Sequence, residues 1–181
     1  MPMRNLYAKP IHGISLIEVL VVLAIVGILT AIASPSFLQA TQKFRISAES
    51  NALFSAITFA RSESIKRGLP VTICGSSDGV SCLSTPTWET GWIVFTDANA
   101  NGTVGTVLRQ EPAQKSTDTI KSDNQVTSLT FGREGFTVSL PAGVVTFTVA
   151  TNPANSSATQ CIAVSKTGRL EMQLPGKGAC T

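Results

Sequence analysis

The chain has 181 residues, of which 43% are hydrophobic and only 14% charged, against about a quarter charged in ordinary soluble domains. That apolar content excludes intrinsic disorder for most of the chain, and the length fits one domain with a buried core plus an appendage. A formal net charge of +3, one His and four Cys do not mark a strongly basic nucleic-acid binder or a His-rich metal site.

The apolar residues are concentrated at the start. From Ile14 to Leu38 the only charged residue is Glu18. As a helix this stretch is about 37 Å long, and a bilayer core is roughly 30 Å thick, so it is long enough to span one. Arg4, Lys9 and His12 precede it. A positive flank predicts an inside N-terminus and a translocated remainder, where four Cys are tolerated as disulfides. Ala31-Ile32-Ala33 matches the small-residue site of a cleaved secretory signal, but the apolar run is longer than a signal core. A plain anchor explains the length yet gives Glu18 no purpose, although a carboxylate within a span costs about 2.5–3.5 kcal/mol.

Gly13-Ile14-Ser15-Leu16-Ile17-Glu18, followed at once by Val19 to Leu29, resembles the processing site of type IV pilins and type II secretion pseudopilins. The resemblance implies that residues 1–13 are a prepilin leader peptide, cut between Gly13 and Ile14 by a prepilin peptidase that also methylates Ile14. Ile14 stands where the family most often has Phe. Glu18 matches the hallmark acid at the fifth mature position, and Pro35 fits the family's kinked helix. Residues 14–40 are then the transmembrane and polymerisation helix. Glu18 is the sole acid in the span, and a buried carboxylate needs a cation. The freed amine of a neighbouring subunit is the available one. Such a pair sets the axial register during subunit assembly.

Residues 43–67 hold no Pro or Gly, and Phe44, Ala48, Ala52, Leu53, Ala56, Ile57, Ala60 and Ile65 recur at three- and four-residue intervals. This is an amphipathic helix, placed at 41–68, with Gly68 and Pro70 as its stop and Lys66 and Arg67 in its last turn. Ala60-Arg61-Ser62-Glu63-Ser64-Ile65 resembles a stretch of the GspH/FimT group, and its charges are expected on a solvated face. After Pro70 the pattern turns to period two. Strands are predicted at 71–74, 91–96, 104–109, 126–131, 136–140, 144–149, 161–165 and 170–174, with turns such as Asn99-Ala100-Asn101-Gly102 and Pro141-Ala142-Gly143 between them. Residues 152–159 are polar and loop-like, and residues 114–124 are polar and expected to be exposed. The fold class is α+β, a long N-terminal helix packed on an antiparallel β-sheet, with residues 41–181 as the head and 70–181 its β-rich part. Gly91-Trp92-Ile93-Val94-Phe95-Thr96-Asp97, with Ile73-Cys74 and Cys82, narrows the resemblance to GspH/FimT minor pilins and pseudopilins.

Four Cys allow three pairings. Locality and the resemblance to minor pilins favour Cys74 with Cys82 and Cys161 with Cys180. A four-thiolate zinc site competes, but no Cys-x-x-Cys pair is present. Asp97-x-Asn99-x-Asn101-Gly102 copies the first half of a calcium loop, yet Leu108 occupies the position that needs a bidentate Glu, so an Asn/Gly-rich turn is expected. No catalytic set, cofactor motif or metal site emerges. Some FimT-like proteins bind DNA through a C-terminal Gly-Arg-x-Arg motif. Here Gly168-Arg169-Leu170-Glu171 keeps the first Arg and replaces the second with Glu171, leaving Lys166, Arg169 and Lys177 as candidate DNA contacts. Cleavage of the leader removes two of the positive charges, Arg4 and Lys9, and few phosphate contacts mean weak, salt-sensitive binding.

The resemblance thus implies a non-catalytic minor pilin in the initiating or tip complex of a type IV pilus, with a type II secretion pseudopilin and a DNA-binding minor pilin for natural transformation as alternatives. Implied partners are the major pilin, other minor pilins, the prepilin peptidase and the inner membrane. The implied location is single-pass in that membrane with a periplasmic head, then the pilus.

Overall fold

The structure is a computed structural model that describes residues 13–114, 116–138, 140, 143–178 and 180, and of residues 32–35 the backbone only. Most of the leader and most of the Pro141-Ala142-Gly143 turn lie outside the described residues. The chain divides into two compact units, Met1–Gln39 and Ala40–Thr181. Helix α1 (Leu16–Arg67) contributes to both.

In the first unit, α1 has solvent-exposed apolar side chains around its whole circumference, among them Leu16, Leu20, Val22, Leu23, Ile25 and Leu29. Nothing in a single soluble domain buries such a surface. Thr30 turns its hydroxyl back onto the carbonyls of Val26 and Gly27, at 2.9 and 3.0 Å, the usual way for a hydroxyl to be satisfied in an apolar helix. Among the described residues no single helix is long and apolar enough to cross a membrane; Leu16–Ala31 and Ser36–Arg67 meet the length and composition requirement only as a broken pair. Pro35, between them, supplies no N–H to the helical ladder.

In the second unit, α1 ends at Gly68, whose φ of +65° lets its N–H close on the Ser64 carbonyl at 3.0 Å. Two antiparallel four-stranded sheets follow. The first has the order β3-β2-β1-β5 and the second β4-β6-β7-β8. Their strands are β1 (Val71–Gly75), β2 (Trp92–Thr96), β3 (Val107–Glu111), β4 (Thr119–Ser122), β5 (Ser128–Phe131), β6 (Val144–Ala150), β7 (Gln160–Ser165) and β8 (Leu170–Gln173). Ile46, Leu53, Ala56, Ile57 and Ala60 of α1 form one core with inward residues of both sheets, including Ile73, Val94, Phe131, Phe147 and Val164. Trp88 meets Phe147 edge-on, with ring centroids 4.9 Å apart, and its indole N–H is satisfied by the Val126 carbonyl at 3.0 Å. Every residue of β1 is buried, because a second small cluster of Cys74, Ile93 and Phe95 covers its far face. The class is α+β, as expected.

Three expectations are corrected. The described residues of 136–140 form no strand: a lone bridge joins Thr137 to Phe131, and Phe136 and Val138 are exposed. Alternation alone supplied that signal, and the tight turn at Gly132–Gly135 leaves too few paired residues to continue it. Conversely, the polar stretch 114–124 contains β4, which pairs with β6 from Thr119↔Ala150 to Ser122↔Phe147 and buries Ile120 completely. The third strand begins at Val107 rather than Val104, since Gly105 turns tightly against Thr96, donating to its carbonyl at 3.0 Å.

Candidate functional site

Gly13, Ile14 and Ser15 precede the helix as irregular backbone, and Gly13 and Ile14 are exposed. The first helical hydrogen bonds run from the N–H groups of Glu18 and Val19 to the Ser15 carbonyl, at 3.0 and 3.3 Å. The Gly13–Ile14 bond therefore lies just outside the helical ladder. Glu18 occupies the first turn of α1, where the unpaired N–H groups favour a carboxylate. Ile14, Glu18, Val19, Val22 and Leu23 border one shallow apolar groove, since i, i+4 and i+8 positions share a helix face. Ile14, in the irregular backbone just before the helix, and Glu18, in its first turn, thus line the same groove.

The cysteines form two disulfides, Cys74–Cys82 and Cys161–Cys180, and none is free among the described residues. The first closes a loop organised by Asp78, whose carboxylate accepts from the Ser81 hydroxyl, the N–H groups of Val80 and Ser81, and the Ser76 hydroxyl. These bonds, that of the Ser81 hydroxyl foremost, hold the Asp78 carboxyl well below the usual carboxylate range. The second ties the C-terminal tail to β7. With every described thiol paired, no thiolates are left for zinc.

Asp97 is 1% exposed, and its carboxylate is taken up internally. It accepts from the Thr72 hydroxyl at 2.9 Å, the Asn101 N–H at 3.1 Å and the Gly102 N–H at 2.8 Å. The Asn101 side-chain carbonyl accepts the Thr103 N–H at 3.0 Å. The oxygens that a calcium loop aims at a cation here cap turn amides. Among the described residues no group of three or more His, Cys, Asp or Glu side chains is placed to hold a metal ion.

Lys166 and Arg169 flank the turn between β7 and β8, while Lys177 lies in the tail beyond β8. All three are exposed. The Arg169 guanidinium stands 3.9 Å from the Glu171 carboxylate. The residue that replaces the second Arg of the DNA motif thus places an acid beside the first.

The Arg61–Glu63 stretch corrects an expectation: it is not a solvated face. Glu63 is 7% exposed and is held by Arg67 at 2.6 Å and Lys66 at 3.4 Å, Arg67 chief among the groups that keep its carboxyl below the ordinary range. Arg61 donates to the carbonyls of Gly135 at 3.1 Å and Thr167 at 3.5 Å. It cross-links the end of α1 to the two turns that close the sheets.

A second polar cluster has no counterpart in the sequence reading. Arg45 of α1 donates from Nε and Nη2 to both carboxylate oxygens of Asp118, and Ser116 donates to Glu49 at 2.9 Å. Arg45 and Glu49 are spaced i, i+4, the only local hint available. Their partners are more than 60 residues away, in a stretch whose polarity reads as exposure.

Three kinds of similarity bear on these features. A family described as "Type II transport protein GspH" matches residues 49–168, and the "Prokaryotic N-terminal methylation motif" matches residues 9–34. No curated protein matches the chain. Among solved structures, the type IV minor pilin FimU of Pseudomonas aeruginosa aligns with a TM-score of 0.58 at 23% identity, covering 78% of this chain and 95% of FimU. A second crystal form of FimU gives 0.55 at 24% identity, with 73% and 93% covered. The minor pseudopilin EpsH of the Vibrio cholerae type 2 secretion system gives 0.52 at 9% identity, covering 74% and 99%. At these identities the structures establish a shared fold.

Proposed function

The chain belongs to the GspH family, whose minor pilins and pseudopilins are structural, non-enzymatic filament subunits, and from that premise we propose that it is a minor pilin of the initiating or tip complex of a type IV pilus. A prepilin peptidase cuts between Gly13 and Ile14 and methylates Ile14. The apolar part of α1 anchors the subunit once through the inner membrane, with the head in the periplasm. The subunit then passes into the filament beside the major pilin and other minor pilins. The observation that carries the reading is Glu18. It is the sole charge between Ile14 and Leu38, and it borders the same shallow apolar groove as Ile14. A carboxylate among apolar helices is costly without a cation, and a new N-terminal amine on a neighbouring subunit meets that need at one axial position only. Apolar helix packing supplies cohesion, and the ion pair supplies register.

Two measurements test this reading. N-terminal sequencing of the mature protein is expected to begin at methylated Ile14; a start at Met1 or Ser34 overturns it. Glu18→Val is expected to insert in the membrane like the wild type and to be missing from sheared filaments. Normal incorporation of that variant removes the role given to Glu18.

The second reading, a pseudopilin of type II secretion, is favoured by the family's description as type II transport. Deleting the chain separates the two. Loss of surface pili with secretion intact supports the pilus, and loss of secretion with pili intact supports the secretion machine.

A further inference from the structure

Glu49 lies one helical turn beyond Arg45 on α1 and is 6% exposed. Its Oε1 accepts the Ser116 hydroxyl at 2.9 Å, and that hydroxyl accepts the Asp118 N–H at 3.3 Å. Its Oε2 is sealed from solvent and has no hydrogen-bond partner. Among the described residues, the charged groups that face this carboxyl are Arg45 from its own helix and Asp118 from the segment entering β4. Glu111, at the end of β3, borders the same groove. Arg45 is already committed through both Nε and Nη2 to Asp118, which is itself 2% exposed. Two buried carboxyl groups thus share one guanidinium.

Ionisation would leave the buried Oε2 charged and without a hydrogen bond, which favours the protonated form. A neutral carboxyl is also a donor, so one proton turns the orphaned Oε2 into a group that hydrogen-bonds instead of repelling its acidic neighbour. Two carboxyl groups and one guanidinium then carry zero net charge. We propose that Glu49 acts as a proton-dependent latch, holding the segment with Ser116 and Asp118 against α1 while it carries a proton and letting it go when the proton is lost.

The electrostatics agree in direction. Burial is the chief influence that pushes the Glu49 carboxyl above the ordinary range, with the Asp118 charge adding to it, against the Ser116 hydroxyl and Arg45. A carboxyl raised on folding stabilises most below the pH at which an unfolded Glu titrates, and that stabilisation is lost as pH rises through the folded value. The latch therefore opens toward alkaline pH, the opposite sense to acid denaturation.

The test is thermal unfolding of the full chain in detergent micelles, as wild type and Glu49→Gln, from about pH 4 to about pH 9. Gln keeps the shape and the donor of the protonated acid and cannot ionise. The two proteins are expected to melt together in acid, with the Gln variant ahead by about 3 °C or more at the alkaline end. A difference that is constant across pH, or a Gln variant that melts lower in alkali, overturns the latch. Should the Gln variant fail to fold, the side-chain carboxyl carbon resonances of the wild-type glutamates decide. Glu49 titrating above every other Glu supports the proposal, and Glu49 titrating with them overturns it.

Discussion

Arg45 and Asp118, 73 residues apart, form a two-pronged ion pair, with Nη2 donating to Oδ1 at 2.8 Å. The Asp118 side chain is fully buried, while the Arg45 side chain keeps 42% of its surface. The pair fastens α1 to the approach of β4, a strand with only one fully buried side chain of its own, Ile120.

Replacing Arg45 by Ala leaves the Asp118 carboxylate buried and without its cation. A fully enclosed pair broken in this way costs about 3–5 kcal/mol. Water around the exposed Arg45 reduces that here, and a loss of about 1–3 kcal/mol is expected at neutral pH. For a chain of this size that lowers Tm by roughly 3–10 °C. Burial pushes the Asp118 carboxyl up, but the bonds from Arg45 and Ser116 outweigh it and hold the group below its ordinary value. Stability from a depressed carboxyl is present above the unfolded pKa and is lost as pH falls through the folded one. The deficit of Arg45→Ala is therefore largest at neutral pH and shrinks in strong acid, which melting curves across pH will check.

What could be read from the sequence divides along a physical line. The Gly13-to-Glu18 spacing, the stop at Gly68 and the aromatic strand Trp92–Thr96 are local patterns, carried by residues a few positions apart. The Arg45–Asp118 pair and the position of β4 are tertiary. A strand with one fully buried apolar residue has no periodicity to detect, and it exists because β6 offers a free edge. Phe136–Leu140 fails in the opposite way: its alternation is real, but among the described residues its pairing is limited to the Thr137–Phe131 bridge, flanked by the Val138 N–H to the Thr130 carbonyl at 2.9 Å. Arg61 was legible as a charge and not as a cross-link, because its acceptors are backbone carbonyls at Gly135 and Thr167, which no sequence pattern announces.

Gly168 and Arg169 are adjacent, and their replacements are expected to differ sharply. Gly168 has a φ of +73°, and a Cβ there would lie 2.2 Å from the Gly135 carbonyl oxygen and 2.8 Å from Arg61 Nε. Gly168→Ala therefore combines a left-handed backbone penalty of about 1–2 kcal/mol with a backbone clash that cannot relax cheaply. It is expected to lower Tm by more than about 4 °C. Arg169→Ala removes an exposed side chain paired to exposed Glu171, and its effect on stability is expected within about 0.5 kcal/mol. A melt of the two variants side by side checks the contrast.

The two disulfides differ in reach. Cys161–Cys180 spans 19 residues and Cys74–Cys82 spans 8. On the chain-entropy view these constrain the unfolded state by about 3.2 and about 2.5 kcal/mol. Paired Cys→Ala replacement at 161 and 180 is therefore expected to cost about 0.7 kcal/mol more than at 74 and 82. Denaturant midpoints of the two double variants, with m-values compared, measure the order. The reverse order would mean that the Cys74 cluster with Ile93 and Phe95 matters more than the covalent tie.

Asp97 decides whether the Asn-rich turn is a metal loop or a structural cap. A calcium loop needs carboxylate oxygens free to face a cation. Here the carboxylate is enclosed by the Thr72 hydroxyl and by the N–H groups of Asn101 and Gly102. Removing it takes the side-chain acceptor from the Asn101 and Gly102 N–H groups, while the hydroxyl of fully buried Thr72 keeps Thr130 Oγ1 at 2.7 Å. Asp97→Ala is expected to destabilise by about 2–3 kcal/mol, and Asp97→Asn by less, because Asn keeps one acceptor oxygen for those donors. A cap acts without metal, so neither calcium nor a chelator is expected to move the wild-type Tm, and the variants are expected to lose the same stability in both. A calcium-dependent rise in Tm that disappears in Asp97→Asn would instead assign the turn to a cation.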